Sequence, residues 1–367
     1  MKYFFPGLLI LLLLAAVPSC QQRPVAPSSQ SSAIAGEQVP KDADQLGLTN
    51  NPEDKQLEKI MIDDDAAMDE VDKWIQENSA FKAQGAGESK QALNERIMAR
   101  IQNVRTNYEA FIQMYPTNAD AYLAFGSFLE DIGDEDGASV QFEKSRQLNP
   151  KNPAVWNDLA NYYGENSPIT NAFIYYTKAI DLNSNEPVYY ENFATTVYLF
   201  RRDAMSYYHI TEPQVFDKAL ALYQQAVRLD PDNFTLMTDY AESYYGIRPL
   251  RTNDALMAWT NALEIAHDET EREAVYIHLA RVKIAAGRFA EAQAHLDAVT
   301  NADFDVLKAR LERTLADRKK GGPSYLTEMF TNSSPQPASG RSMMSNAPSS
   351  TNAAPVLIHA SAPAPGQ

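Results

Sequence analysis

The stretch from Pro116 to Pro150 constrains this chain more than any other. It reads PTNADAYLAFGSFLEDIGDEDGASVQFEKSRQLNP, and its two prolines stand 34 residues apart, at 116 and 150. Phe125, Gly126 and Leu129 share one face of a first helix at i, i+1 and i+4. Gly133 marks a turn, and Ala138 and Phe142 lie one turn apart on a second helix. Gly126 and Ala138 are small, so the two helices can approach closely, with Phe142 filling the gap. Pro150 ends the second helix, because proline removes a backbone donor and clashes with the preceding turn. The pattern predicts an antiparallel helical hairpin. Such a hairpin cannot bury its apolar face alone, so copies must flank it.

Copies follow in register. A second unit starts at Pro153 with Trp156, Leu159, Ala160 and Tyr163, then Ala172, Tyr176 and Ala179, closing at Leu182-Asn183. A third starts at Pro187 with Tyr190, Phe193, Ala194 and Val197, then Ala219, Tyr223 and Ala226, closing at Leu229-Asp230-Pro231. Between its two halves lies the insertion RRDAMSYYHITEP. The fourth carries Met237, Tyr240, Ala241 and Tyr244, then Ala255, Trp259 and Ala262, with a shorter insertion from Ile247 to Arg251. The fifth carries Leu279, Ala280, Gly287, Phe289, Ala292 and Leu296.

These offsets resemble the tetratricopeptide repeat, W-x₂-L-G-x₂-Y…A-x₃-F…P, from about Asn94 to Arg318. The resemblance implies an all-α, right-handed superhelical solenoid of antiparallel helix pairs. About five repeats over residues 116–300 would stand between N-terminal helices at 53–115 and a capping helix at 301–320. In the N-terminal part, Leu57, Ile60, Met61, Met68, Val71 and Ile75 form an apolar stripe. Asp63-Asp64-Asp65 interrupts it and reads as a solvated face, since it lacks the alternating ligand spacing of a calcium loop. Gly85 and Gly87 then break the helix, and a second runs from Glu88 to Tyr115. In the capping helix, Phe304, Val306, Leu307 and Leu311 are expected to face the array.

The resemblance also implies a concave groove lined by the first helix of each pair, and that groove is the expected site for a protein or peptide partner. Carried over position by position, it assigns Asn157, Asp158, Asn161 and Glu165 in the second repeat. The third contributes Glu191, Asn192, Thr195 and Tyr198, and the fourth Thr235, Thr238, Asp239, Glu242 and Tyr245. The fifth contributes Ile277, His278, Arg281 and Ile284. Asparagine amides both donate to and accept from a peptide backbone. The family's carboxylate clamp has its asparagines at Asn161 and Asn192, but its basic positions hold Asn157, Thr235 and Asp239, so that clamp is excluded. The remaining groove is acidic and aromatic, which suits a basic segment with apolar anchors. Tyrosine doublets recur, and Tyr163, Tyr176, Tyr190 and Tyr244 are expected in the core, with their neighbours nearer the surface.

The amino terminus reads as an address. Lys2 precedes an apolar run from Leu8 to Val17, too short to span a bilayer comfortably and built like a secretion signal over residues 1–19. Val17-Pro18-Ser19-Cys20 resembles the lipobox of bacterial lipoproteins, which implies a lipid anchor on Cys20, the chain's single cysteine. Gln21 in place of aspartate implies the outer membrane, with the protein facing the periplasm. Residues 20–52 are rich in Ser, Pro, Gln and Ala and are expected to form a disordered tether, as is the tail at 321–367. Within that tail, the apolar Tyr325–Phe330 segment either docks on the domain or serves as a partner motif.

Acidic residues number 48 against 32 basic ones, a net charge of −16, which argues against a nucleic-acid partner. One cysteine excludes an internal disulfide and a cysteine metal site. The five histidines (His209, His267, His278, His295, His359) show no metal spacing, and no P-loop or G-x-S-x-G occurs, so no catalytic residue, metal or cofactor is expected. The chain reads as an envelope-anchored interaction module. The alternative is a structural or cell-wall-associated lipoprotein whose tail or third-repeat insertion, at 200–213, makes the contacts.

Overall fold

The computed structural model describes residues 51–321, which form fourteen α-helices and two short 3₁₀ turns with no strand among the described residues. The signal, Cys20, most of the tether and nearly all of the tail lie outside them. Helices α1 (Pro52–Ala83) and α2 (Lys90–Met114) form a long N-terminal hairpin. The pairs α3 (Ala119–Asp131) and α4 (Glu135–Leu148), and α5 (Pro153–Glu165) and α6 (Thr170–Leu182), follow. The third repeat is α7 (Pro187–Leu199), a short α8 (Arg201–Tyr208) and α9 (Glu212–Leu229). The fourth is α10 (Phe234–Ser243), a 3₁₀ turn at Tyr244–Gly246, and α11 (Thr252–Glu264). The fifth is α12 (Glu269–Ala285) and α13 (Phe289–Ala298), and α14 (Asp305–Lys319) closes the array. Most helices pack chiefly on their neighbours in sequence, while α7 packs on α9 across the short α8 and α14 packs on both α12 and α13, which makes the molecule an all-α solenoid of stacked antiparallel helix pairs.

Local chemistry explains the punctuation. Asn118, Asn152 and Asn233 each accept a backbone N–H of the first turn of α3, α5 and α10, at 2.8, 3.0 and 3.0 Å. Pro153 and Pro187 sit in the first turns of α5 and α7, where a missing N–H costs nothing. One hydrogen bond recurs with the 34-residue register: Tyr122 Oη, Trp156 Nε1 and Tyr190 Oη donate to the carbonyls of Pro116, Pro150 and Ser184, each six residues upstream. The aromatic ring at this position therefore clamps the incoming turn.

Packing within a pair follows the small-residue logic. A Cβ on Gly126 of α3 would lie 2.5 Å from Phe142 Cδ1 of α4, so only glycine allows this approach. Phe142, Tyr176, Tyr223 and Trp259 are fully buried and carry the core along successive pairs. Each contributes about 2–3 kcal/mol of transfer free energy.

Several expectations need correction. The Asp63–Asp65 triplet is half-buried and joins α1 to α2: Arg100 Nη2 donates to Asp63 Oδ1 at 2.7 Å, and Tyr108 Oη donates to Asp64 Oδ2 at 2.9 Å. Ile75 is 47% exposed and Val306 67% exposed, whereas Leu311 and Leu315 are buried. Leu311 and Leu315 lie four apart on one face, and Val306 is turned well away from that face at 100° per residue. Tyr189, not Tyr190, is buried, because the Tyr190 hydroxyl is held at the turn. Tyr245 is buried alongside Tyr244, because the chain tightens into a 3₁₀ turn there. The third-repeat insertion is itself helical, ending at His209 in the left-handed region (φ 55°).

Candidate functional site

The first helices of the repeats carry a continuous polar ladder. On α5, Asn157 is 0% exposed; its Nδ2 donates to Asp158 Oδ1 at 3.2 Å, and its Oδ1 accepts from Asn192 Nδ2 of α7 at 3.2 Å. Asn161 accepts from Tyr176 Oη at 2.8 Å, and that hydroxyl accepts from Thr196 Oγ1 at 3.3 Å. Thr195 shares a 2.7 Å hydrogen bond with Tyr223 of α9. The amides and hydroxyls of repeats two and three are thus engaged with one another, and Asn157, Asn161, Asn192 and Thr195 form the floor of the site.

The next rung is acidic. Glu191 on α7 and Asp239 on α10 are buried and hydrogen-bond through their side chains. Burial pushes Glu191 up to about 7, helped by Asp230. Burial pushes Asp239 up to about 9, with Glu191 and Glu242 adding repulsion. Glu242 is raised to about 7 by burial, against the pull of Arg281. Thr238 is half-buried and donates to its own helix at Thr235 O, 2.8 Å away.

The fifth repeat closes the ladder with nitrogen groups. His278 stacks on Trp259 at 4.1 Å between ring centroids, and its Nδ1 lies 3.1 Å from Tyr245 Oη. Burial, with Arg281 nearby, pushes His278 down to about 3, so its ring is neutral near pH 7. Its 3.8 Å approach to Glu242 is therefore not an ion pair there. Arg281 lies over the Tyr245 ring, Cζ to centroid 4.1 Å. Tyr198 packs on Phe216 and is held against Gly246, where an added Cβ would lie 2.7 Å from Tyr198 Cζ.

The structure joins Asn157, Asn192, Glu191, Asp239, Glu242, His278 and Arg281 from one repeat to the next. A second acidic group extends the ladder at its other end. Glu130 of α3 is raised well above the carboxylate range by burial and by Asp158, and Glu165 is raised to about 7 by burial and Glu135. Glu130, Glu135 and Glu165 line one recess with Phe142 and Tyr162. Glu130 went unassigned in sequence because no groove register was carried into the first repeat, although α3 follows the same register as α5. No group of His, Cys, Asp and Glu suited to a metal occurs among the described residues, and none of their helices is long and apolar enough to cross a membrane.

The fold and the ladder define an all-α helix-pair solenoid with an acidic, aromatic inner row. No family model matches the chain, and no curated protein matches it. Among solved structures it is similar to YrrB, a TPR protein with an unusual peptide-binding site, at 13% identity over 56% of this chain and 97% of that one, TM-score 0.44. It is similar to pilF of Pseudomonas aeruginosa at 17% identity, 59% and 93% coverage, TM-score 0.42. It is also similar to yeast Tom70 at 13% identity, 77% and 68% coverage, TM-score 0.41.

Proposed function

We propose that this protein is an envelope-anchored interaction module that holds a protein or peptide segment against the inner row of its solenoid. The observation that carries the reading is the ladder itself. Polar and charged side chains are placed at the same face of four successive first helices, where an array built only for stability would place apolar ones. The chain's acidity favours a basic segment, and the half-buried ring of Tyr198 offers a surface for an apolar anchor. Anchoring through a lipid on Cys20, facing the periplasm at the outer membrane, rests on the lipobox resemblance alone. No catalytic role is proposed.

A photo-crosslinking side chain placed singly at three exposed positions tests the groove: Thr235 on α10, Tyr207 on α8 and Val140 on α4. Capture of a polypeptide from Thr235, and not from Val140, is expected. Capture from Tyr207 alone would refute the groove and favour the third-repeat insertion. For the anchor, Cys20→Ser should leave the membrane fraction and lose acyl label; retention of both would refute it.

A further inference from the structure

One place on this floor has chemistry of its own, and the following rests on the groove reading above. Glu191 and Asp239 come from neighbouring first helices, are 5% and 6% exposed, and hydrogen-bond carboxyl to carboxyl. Two ionised carboxyls at that separation repel, so the pair retains a proton. The groups facing them are Asp230 at the end of α9, Glu242 one turn along α10, and the phenol of Tyr223 on α9. Among the described residues, neither carboxyl has a lysine or arginine partner in an ion pair.

A second observation points the same way independently. Glu242 is 6% exposed, and its Oε2 accepts no hydrogen bond from the chain. Its Oε1 lies 3.8 Å from His278 Nε2, too far for a hydrogen bond. Arg281 on α12 is the cation facing it, and Tyr198 on α7 lies within its field. A buried carboxylate oxygen without a donor is costly to keep, which marks it as waiting for one.

We propose that Glu191, Asp239 and Glu242 form a subsite for one cationic side chain, a lysine ammonium or arginine guanidinium, of the segment bound in the groove, and that seating it expels the proton held by the Glu191–Asp239 pair. The exchange conserves charge: one positive group enters, and one proton leaves to the buffer. The three donors of an ammonium meet carboxyls on two helices. The raised carboxyls of the subsite fit a proton that is held in the free protein and released on binding.

Titration calorimetry of the full chain with N-acetylated, C-amidated tetralysine tests this, in two buffers of different ionisation enthalpy. Because Asp239 holds the pair's proton up to about 9, binding about a hundredfold tighter at about pH 8 than at about pH 6 is expected, together with about one proton released per peptide. Asp239→Asn should lose both effects. Glu264→Gln, on the exposed side of α11, should keep both, which separates the subsite from attraction to a net acidic surface. Affinity independent of pH, no proton release, or equal weakening by Glu264→Gln would overturn the subsite. The wild-type measurement stands without any variant. Capture from Thr235 together with such a negative result would sink the subsite and leave the groove reading intact; absence of capture would remove the groove itself.

Discussion

The buried Asp239 makes stability depend on pH in a direction opposite to that of most carboxylates. Its ordinary value of 3.8 is raised to about 9, first by burial and then by Glu191 and Glu242. The folded state therefore binds the proton more tightly than the unfolded state. The stability tied to that proton is fully present below about pH 4 and is lost as pH rises toward about 9. At pH 7 about three pH units of that window have been crossed, which at 1.36 kcal/mol per unit is about 4 kcal/mol. Asn in place of Asp239 has nearly the same shape, needs no proton, and still donates to Glu191. Part of the cost is carried by Glu191, so Asp239→Asn should gain about 2–4 kcal/mol at pH 7 and almost nothing near pH 4.

Urea unfolding of the two chains, followed by far-ultraviolet circular dichroism from pH 4 to pH 9, measures this directly. With a slope of about 3 kcal/mol per molar, the gain at pH 7 moves the midpoint by about 1 M. The separation between the two midpoints should widen with pH and then level off. A constant offset across the range would refute the reasoning, because it would show that the carboxyl is ionised, or equally placed, in both states. A wild-type midpoint that rises steadily from pH 4 to pH 8 would refute it as well.

Three further outcomes follow from packing. Gly126→Ala should destabilise by about 1–3 kcal/mol, because its methyl meets Phe142, and adding Phe142→Leu should recover part of the loss in thermal melts. Gly246→Ala should lower the melting temperature by driving a methyl into Tyr198, and Tyr198→Leu should make that substitution nearly neutral. Arg100→Ala removes the 2.7 and 3.0 Å contacts to Asp63 and Glu70, and should cost about 1–2 kcal/mol with faster amide exchange in α1 and α2 than elsewhere.

The helix pairs were legible because their packing residues recur at fixed offsets. Tyr122, Trp156 and Tyr190 occupy one register position, and in each case the ring reaches back to the turn six residues upstream. Where an apolar residue leaves that register, sequence alone misplaces it. Val306 belongs to no repeat, so only the packing of Leu311 and Leu315 decides which face of α14 is inward. The Asp63–Asp65 triplet resembled a solvated face because its partners, Arg100 and Tyr108, lie on another helix far along the chain. The groove positions were legible as a list, but their joining was not. Asn157 meets Asn192, one repeat and one residue later, and Glu191 meets Asp239 across an insertion that shifts the register. Burial adds what no pattern contains: it turns a row of acids into groups that hold protons.

That row also makes a statement about cooperativity. In an array where each pair touches only its neighbours, stabilisation propagates by nearest-neighbour contact. Asp239 is bonded to Glu191 of α7, and its own helix continues through Tyr245 to His278 of α12. From α7 the ladder runs on through Asn192 to Asn157 of α5. The stabilisation expected of Asp239→Asn at pH 8 should therefore appear as slower amide exchange in α7, α9, α10 and α12. It should fade through α5 and be absent from α1 and α2, whose contacts are with α3 and with each other. Hydrogen exchange resolved by helix reads this. Equal slowing in α1 and α12 would mean that the chain opens as one unit, and that the ladder transmits its energy through the whole array rather than from rung to rung.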